Sequence, residues 1–138
     1  MNKKRGFTLI ELMLVVIIIG VLVSMVAPRL VGRSEEARVS AAKADIHANI
    51  SVALDLFELD NGKYPTTEEG LEALRVKPDS AINWKGPYLK REPQDPWGNP
   101  YVYSCPGEHN PPDYDLYSYG SDGREGGGDD VVNWKEGE

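Results

Sequence analysis
The chain has 138 residues, enough for one small domain and a membrane segment, and a formal net charge of −7. Its charge is unevenly placed: Lys3, Lys4 and Arg5 precede an apolar run, whereas beyond Pro28 twelve basic side chains face twenty-one acidic ones. An acidic soluble part argues against nucleic-acid binding, which needs Lys and Arg to displace counterions from phosphates, and the single cysteine, Cys105, excludes an intrachain disulfide and a CxxC redox or zinc motif.

From Phe7 to Val26 the only ionisable side chain is Glu11. A helix over that stretch spans about 30 Å, the thickness of a bilayer's hydrocarbon. The basic residues ahead of it belong on the cytoplasmic side, which leaves the C-terminal part outside. An ordinary signal anchor fits this pattern. A secretory signal peptide fits less well, because no small-x-small cleavage site closes the run. Glu11 adds a third reading. A carboxylate inside lipid costs roughly 2.5–3.5 kcal/mol on insertion scales and normally has a partner. Cleavage after Gly6 would give Phe7 a new α-amino group one helical turn from Glu11. In a bundle of copies, Glu11 can pair with a neighbour's amine, which neutralises both charges and sets the axial register.

The stretch Gly6-Phe7-Thr8-Leu9-Ile10-Glu11 resembles the class III prepilin signal of type IV pilins and pseudopilins. The resemblance implies cleavage between Gly6 and Phe7 by a membrane-embedded prepilin peptidase and N-methylation of Phe7 by the same enzyme. It also implies a role for Glu11 in subunit pairing.

Pro28 interrupts the apolar pattern and predicts a kink rather than an end. Beyond it, Val39, Ile46, Ile50, Ala53 and Phe57 recur at helical spacing and predict a core-facing stripe. Asn61-Gly62 is a helix stop, so a helix from Phe7 to Asp60 would reach about 80 Å. Thr66-x-x-Glu69, after Pro65, is a capping box that predicts a short helix carrying Leu71 and Leu74. A proline-rich stretch follows, in which Asp95-Pro96-Trp97-Gly98-Asn99-Pro100 reads as turns. Tyr101-Val102-Tyr103 and Asp115-Leu116-Tyr117-Ser118-Tyr119 alternate and predict strands, with Val131 to Trp134 a third. So few strands cannot stand alone. The expected fold is therefore α+β, a long N-terminal helix packed on a small antiparallel sheet.

Between the last two strands, Gly120 to Asp130 forms an acidic, glycine-rich loop. One reading is a solvated, flexible loop. The other is a calcium site, since hard cations take six to eight oxygens and Asp122 and Asp129 supply carboxylates from opposite ends. The spacing is not that of an EF-hand.

A second resemblance covers nearly the whole chain. Tyr64-Pro65-Thr66-Thr67-Glu68-Glu69-Gly70-Leu71, Gly86-Pro87-Tyr88-Leu89, Asp95 to Tyr101 and Asp115 to Gly123 are similar, in order, to the major pseudopilins of type II secretion. That family's loop binds one calcium ion. Carried over by position, the resemblance implies side-chain ligands at Asp122 and Asp129, with further, mostly main-chain, oxygens from Tyr119, Gly127 and Asp130. Gly126-Gly127-Gly128 departs from the commoner family loop, which often interposes an acidic residue.

His47 and His109 are the only histidines, neither beside a cysteine or serine motif. GxSxG, HExxH, P-loop and GxGxxG patterns are missing, so an enzyme is not expected. The chain is expected to comprise a cleaved leader (1–6), a transmembrane polymerisation helix (7–28) and a periplasmic pilin-like domain (29–138). It would sit in the bacterial inner membrane as a single-pass protein with its C-terminal domain in the periplasm. The resemblance implies a homo-oligomeric helical fibre that drives protein export, with minor pseudopilins, an inner-membrane assembly platform and prepilin peptidase as partners, and no nucleic acid. The rivals are a type IV pilin for adhesion or motility, whose usual disulfide-bounded loop a single cysteine cannot make, and a membrane-anchored calcium-binding module that never polymerises.

Overall fold
The computed structural model describes residues 6–135, with side chains described throughout except at 28–31. Most of the expected leader, residues 1–5, lies outside the described residues. The chain divides into two compact units, Met1–Ala37 and Arg38–Glu138.

In the first unit, helix α1 (Leu9–Ala44) starts where Thr8 caps it. The Glu11 amide donates to Thr8 Oγ1 at 3.3 Å and to the Thr8 carbonyl at 3.1 Å. Thr8 thus satisfies a donor that the first turn would otherwise leave without a partner. The helical pattern continues through Pro28, so the proline does not end the helix. From Leu9 to Val26 the apolar side chains are exposed all round, and the most apolar 18-residue window reaches a mean hydropathy of 3.0. A helix apolar on every face has no solvated side and matches a membrane span in length and composition.

The second unit is built on the end of α1, a π-helical turn at Asp45–Ile50, and helix α2 (Ser51–Asn61). Ala42, Ile46, Ile50, Ala53, Leu54 and Phe57 are buried, and Val39 packs at their edge. The expected stripe is therefore the core face, widened by Ala42 and Leu54. The π-turn, bonded i to i+5, carries Ile46 and Ile50 into the core. Gly62 ends α2 in the left-handed conformation, φ 79°, and its amide donates to the Glu58 carbonyl. Glycine reaches that conformation without a Cβ penalty.

The capping box forms in both directions. Glu69 Oε2 accepts from the Thr66 amide at 2.9 Å, and the Glu69 amide donates to Thr66 Oγ1 at 3.3 Å. What it opens is one turn of 3-10 helix, Leu71–Leu74, shorter than an α-helix but burying Leu74 and half-burying Leu71 as expected. Strands β1 (Val102–Ser104), β2 (Asp115–Ser118) and β3 (Val131–Val132) form an antiparallel sheet in that order. Tyr103 pairs with Leu116, and Ser118 with Val131. The last strand is shorter than its apolar run because Asn133 turns its side chain into the ladder. Asn133 Oδ1 accepts from the Leu116 amide at 2.9 Å, and its own amide donates to the Leu116 carbonyl at 3.1 Å.

Tyrosines tie this sheet and its connections to the helix. Tyr101 Oη donates to Asp45 at 2.9 Å, Tyr88 Oη to Asp60 at 2.7 Å and Tyr64 Oη to Asp55 at 3.1 Å. Tyr101 is buried and Tyr64 and Tyr88 half-buried against the core, and each spends its hydroxyl on a carboxylate, so the apolar body packs without an orphaned polar tip. Burial first, then the adjacent carboxylate, pushes the Tyr101 phenol well above its ordinary value.

Candidate functional site at the acidic glycine loop
The loop Gly120 to Asp130 is anchored from within the core. Asp95 is buried, and its Oδ1 accepts from the Trp97 and Asn99 amides at 3.1 and 2.8 Å, closing the turn read from the sequence. Its Oδ2 accepts from the buried Ser118 hydroxyl at 2.6 Å, and Ser118 Oγ in turn accepts from the Gly120 amide at 3.1 Å. A carboxylate twenty-three residues upstream therefore fixes where the loop leaves the sheet.

Within the loop, three aspartates each use one oxygen to hold the backbone. Asp129 Oδ2 accepts from Ser121 Oγ at 2.8 Å and the Asp122 amide at 2.9 Å. Asp122 Oδ1 accepts from the Arg124 amide, and Asp130 Oδ2 from the Gly126 amide, both at 2.8 Å. The Asp122 amide and then the Ser121 hydroxyl hold the Asp129 carboxyl below the usual range. The second oxygens converge in part. A Cβ on Gly127 would stand 3.1 Å from Asp122 Oδ2 and 3.4 Å from Asp129 Oδ1, so both face the space this glycine leaves open. Asp130 Oδ1 is buried without a hydrogen-bond partner. Gly127, at φ 89°, holds a backbone that other residues rarely adopt.

This donor set suits a hard cation. It offers carboxylate oxygens facing one space, one orphaned buried oxygen, and a glycine backbone able to turn carbonyls inward. Among the described residues no group of three His, Cys, Asp or Glu side chains is arranged to hold a metal, so main-chain oxygens would have to complete a shell. Of the expected ligands, the structure brings Asp122, Asp129 and Gly127 together. Tyr119 stands at the loop's start with its ring against Tyr117, centroids 5.7 Å apart.

One feature beside the loop has no counterpart in the sequence reading. Glu125, Gly126 and Asp130 share a cleft of about 500 Å³ with His109, Asp115 and Trp134. Asp115 is buried, and Oδ2 accepts from the amides of Glu108 and His109 and contacts His109 Nδ1, all at 2.9 Å. Its Oδ1 accepts from the Asn110 amide at 3.0 Å. Burial alone would raise this carboxyl's pKa, but His109's amide and ring with the Asn110 and Glu108 amides outweigh it and hold the value below the usual range. The sequence signal available was a histidine followed by a turn and an aspartate opening a strand. His47, by contrast, is exposed on the helix.

At the other end of the chain, Glu11 lies in the first turn of α1, three residues after the cap, and is exposed. Gly6 and Phe7 precede the helix, in extended or irregular backbone open to solvent.

The family described as "Type II secretion system (T2SS), protein G" matches residues 29–134, and the prokaryotic N-terminal methylation motif matches residues 1–27. The chain belongs to the type II secretion protein G family. The type II secretion system core protein G of Pseudomonas aeruginosa is 51% identical over 140 residues, covering 96% of both chains. That of Escherichia coli K12 is 51% identical over 137 residues, covering 96% of this chain and 92% of its own. The crystal structure of the major pseudopilin from the type 2 secretion system of enterohaemorrhagic Escherichia coli is 40% identical. It overlays with a TM-score of 0.67, across 78% of this chain and 95% of that one. The protein G fold is thus the long helix and three-stranded antiparallel sheet found here. Membership makes the chain a structural subunit that works with other components of a secretion system, and its apolar helix and methylation motif make it a membrane-anchored one.

Proposed function
We propose that this chain is the major pseudopilin, made as a precursor, cleaved between Gly6 and Phe7, N-methylated at Phe7, and polymerised into a periplasmic fibre that drives protein export. The observation that carries the reading is the junction itself. A methylation motif spans residues 1–27, and an apolar helix capped by Thr8 begins two residues beyond Phe7 with Glu11 in its first turn. Cleavage would place a positive amine at a helix N-terminus in an apolar setting. Glu11 of a neighbouring copy is the charge that such an amine lacks. The basic residues before the cut remain cytoplasmic, and the domain beyond 28 is periplasmic. Minor pseudopilins, the inner-membrane assembly platform and prepilin peptidase are the partners this role requires. The subunit carries no catalytic constellation in this reading, and force comes from a separate ATPase.

The loop's part is to bind one calcium ion through Asp122 and Asp129, with oxygens from Tyr119, Gly127 and Asp130. The ion's chemistry is to offset the charge of Asp122, Glu125, Asp129 and Asp130, which lie within nine residues of sequence. Binding only to the folded loop stabilises the domain by mass action.

Mass spectrometry of the protein purified from its own membranes tests the reading. A chain beginning at N-methyl-Phe7 supports it. A chain still carrying Gly6, from cells with active prepilin peptidase, would leave an anchored module that does not polymerise.

A further inference from the structure
The geometry of the acidic loop is not held by the loop alone. Asp95 and Ser118 are 4% and 0% exposed, and the 2.6 Å bond between them lies inside the core. Burying a carboxylate is costly unless its oxygens are bonded. Asp95 divides its two oxygens between a turn and a strand. Oδ1 holds the Trp97 and Asn99 amides. The same turn is closed again by the Asp95 and Gly98 amides, which donate to the Asn99 and Asp95 carbonyls at 2.8 and 2.9 Å. Oδ2 therefore extends from a rigid frame. It orients Ser118 Oγ, whose proton points to Asp95 while a lone pair accepts from the Gly120 amide.

Gly120 in turn places Asp129. A Cβ on Gly120 would stand 2.1 Å from the Asp129 carbonyl oxygen and 2.9 Å from Asp129 Oδ2, so the two residues are packed together at the loop's base. The strand rung beside them is Ser118 opposite Val131. Asp129 Oδ2 carries the arrangement on to the Ser121 hydroxyl and the Asp122 amide. A second contact acts further out. A Cβ on Gly123 would meet Asn99 Nδ2 at 3.6 Å, so the loop's outer part lies beside the turn that Asp95 closes. One buried carboxylate thus stands behind the positions of both Asp122 and Asp129.

We propose, resting on the calcium reading above, that Asp95 acting through Ser118 is a positioning residue that sets the loop's affinity for calcium. Without a cation, Asp122, Glu125, Asp129 and Asp130 repel one another, and a glycine-rich backbone has many conformations in which to relieve that repulsion. Holding Gly120 and Asp129 together removes many of those conformations before the ion arrives. Binding then costs less ordering, and affinity rises. Linkage makes the effect reciprocal: a bound ion tightens the bond from the Gly120 amide to Ser118 by the same coupling.

The test uses the full-length protein in detergent, stripped of divalent ions and titrated with calcium chloride in a calorimeter. Ser118→Ala cuts the link to the loop but leaves the Asp95 turn bonded. It is expected to raise the calcium dissociation constant about tenfold or more, as loss of a charge-assisted bond should. Asp95→Asn, whose amide oxygen still accepts from Trp97 and Asn99, is expected to raise it about threefold or more. Thr66→Ala loses a cap and no bond to the loop, and should bind calcium as the unsubstituted chain does, which separates positioning from a general loss of stability. Hydrogen exchange on the calcium-free protein gives a second readout: in Ser118→Ala the Asp122 amide, bonded to Asp129, should exchange faster. A Ser118→Ala protein with an unchanged dissociation constant overturns the assignment and leaves the calcium reading standing. If that variant does not fold, an unchanged constant in Asp95→Asn overturns it equally. An unsubstituted chain that binds no calcium sinks both.

Discussion

The imidazole of His109 lies flat on the indole of Trp134, ring centroids 4.0 Å apart and planes 3° from parallel. The same imidazole reaches Asp115 through Nδ1. One side chain therefore fastens the end of the chain to the start of β2. Replacing it with alanine removes the stack and one bond to a buried carboxylate. We expect a loss of about 1–3 kcal/mol, read as a lower urea midpoint with unchanged slope for the full-length protein in detergent.

Asp115 sets an acid limit on the domain. Its folded pKa lies below the unfolded carboxylate value of about 3.9. A depressed pKa gives stability that is complete above the unfolded value and is lost as pH falls through it toward the folded one. Unfolding free energy should therefore be flat near neutrality and drop below about pH 4. Asp115→Asn should be less stable at pH 7 and show a shallower acid limb. An acid limb unchanged by the substitution would show that another carboxylate sets the limit.

Calcium should raise the melting temperature of the full-length protein, and a chelator should reverse the rise. Saturation at a hundredfold excess over the dissociation constant corresponds to about 2.7 kcal/mol. Asp129→Ala should abolish the response, because it removes both the oxygen facing Gly127 and the bonds to Ser121 and Asp122. Calorimetry with and without the ion measures this directly, and an Asp129→Ala protein that still responds to calcium counts against the site.

Gly120 should tolerate no side chain. Its φ is 67°, and a Cβ there would run into the Asp129 carbonyl and come within 2.9 Å of Asp129 Oδ2. Gly120→Ala is expected to cost more than the roughly 1 kcal/mol of an ordinary left-handed position. Gly126→Ala meets nothing within 4 Å and should cost only its backbone strain, φ 86°. Equal melting temperatures for the two variants would contradict the packing described.

Thr66→Ala should lower stability by about 1 kcal/mol. It removes the hydroxyl that accepts from the Glu69 amide, but not the Thr66 amide that donates back to Glu69. Thr66→Ser should restore the value.

Local chemistry made much of this fold legible. Gly62 marks a helix end because only a Cβ-free residue takes its φ cheaply, and Thr66 with Glu69 marks a cap because both bonds span three residues. The strand positions followed from alternation, although only two residues of the third pair as a strand. What escaped was non-local or without a residue signature. A π-turn at Asp45–Ile50 follows from where the partner elements stand, and nothing in Asp-Ile-His-Ala-Asn-Ile announces it. The bond between Ser118 and Asp95 and the stack of His109 on Trp134 join residues more than twenty apart in sequence. In the loop, aspartates and glycines pointed to an oxygen-rich site. They did not show that each aspartate would divide its two oxygens between holding the backbone and facing elsewhere.

The Asn133 side chain has a further consequence for a protein that must exist at high local density. Strands of three, four and two residues, with the Asn133 side chain ending the ladder between β2 and β3, offer only a short edge to another chain. Sheet edges are where crowded proteins mispair into fibrils of the wrong kind. By keeping its sheet edges this short, the domain leaves helix and side chains as the surfaces through which copies can join, and ordered polymerisation stays separate from aggregation.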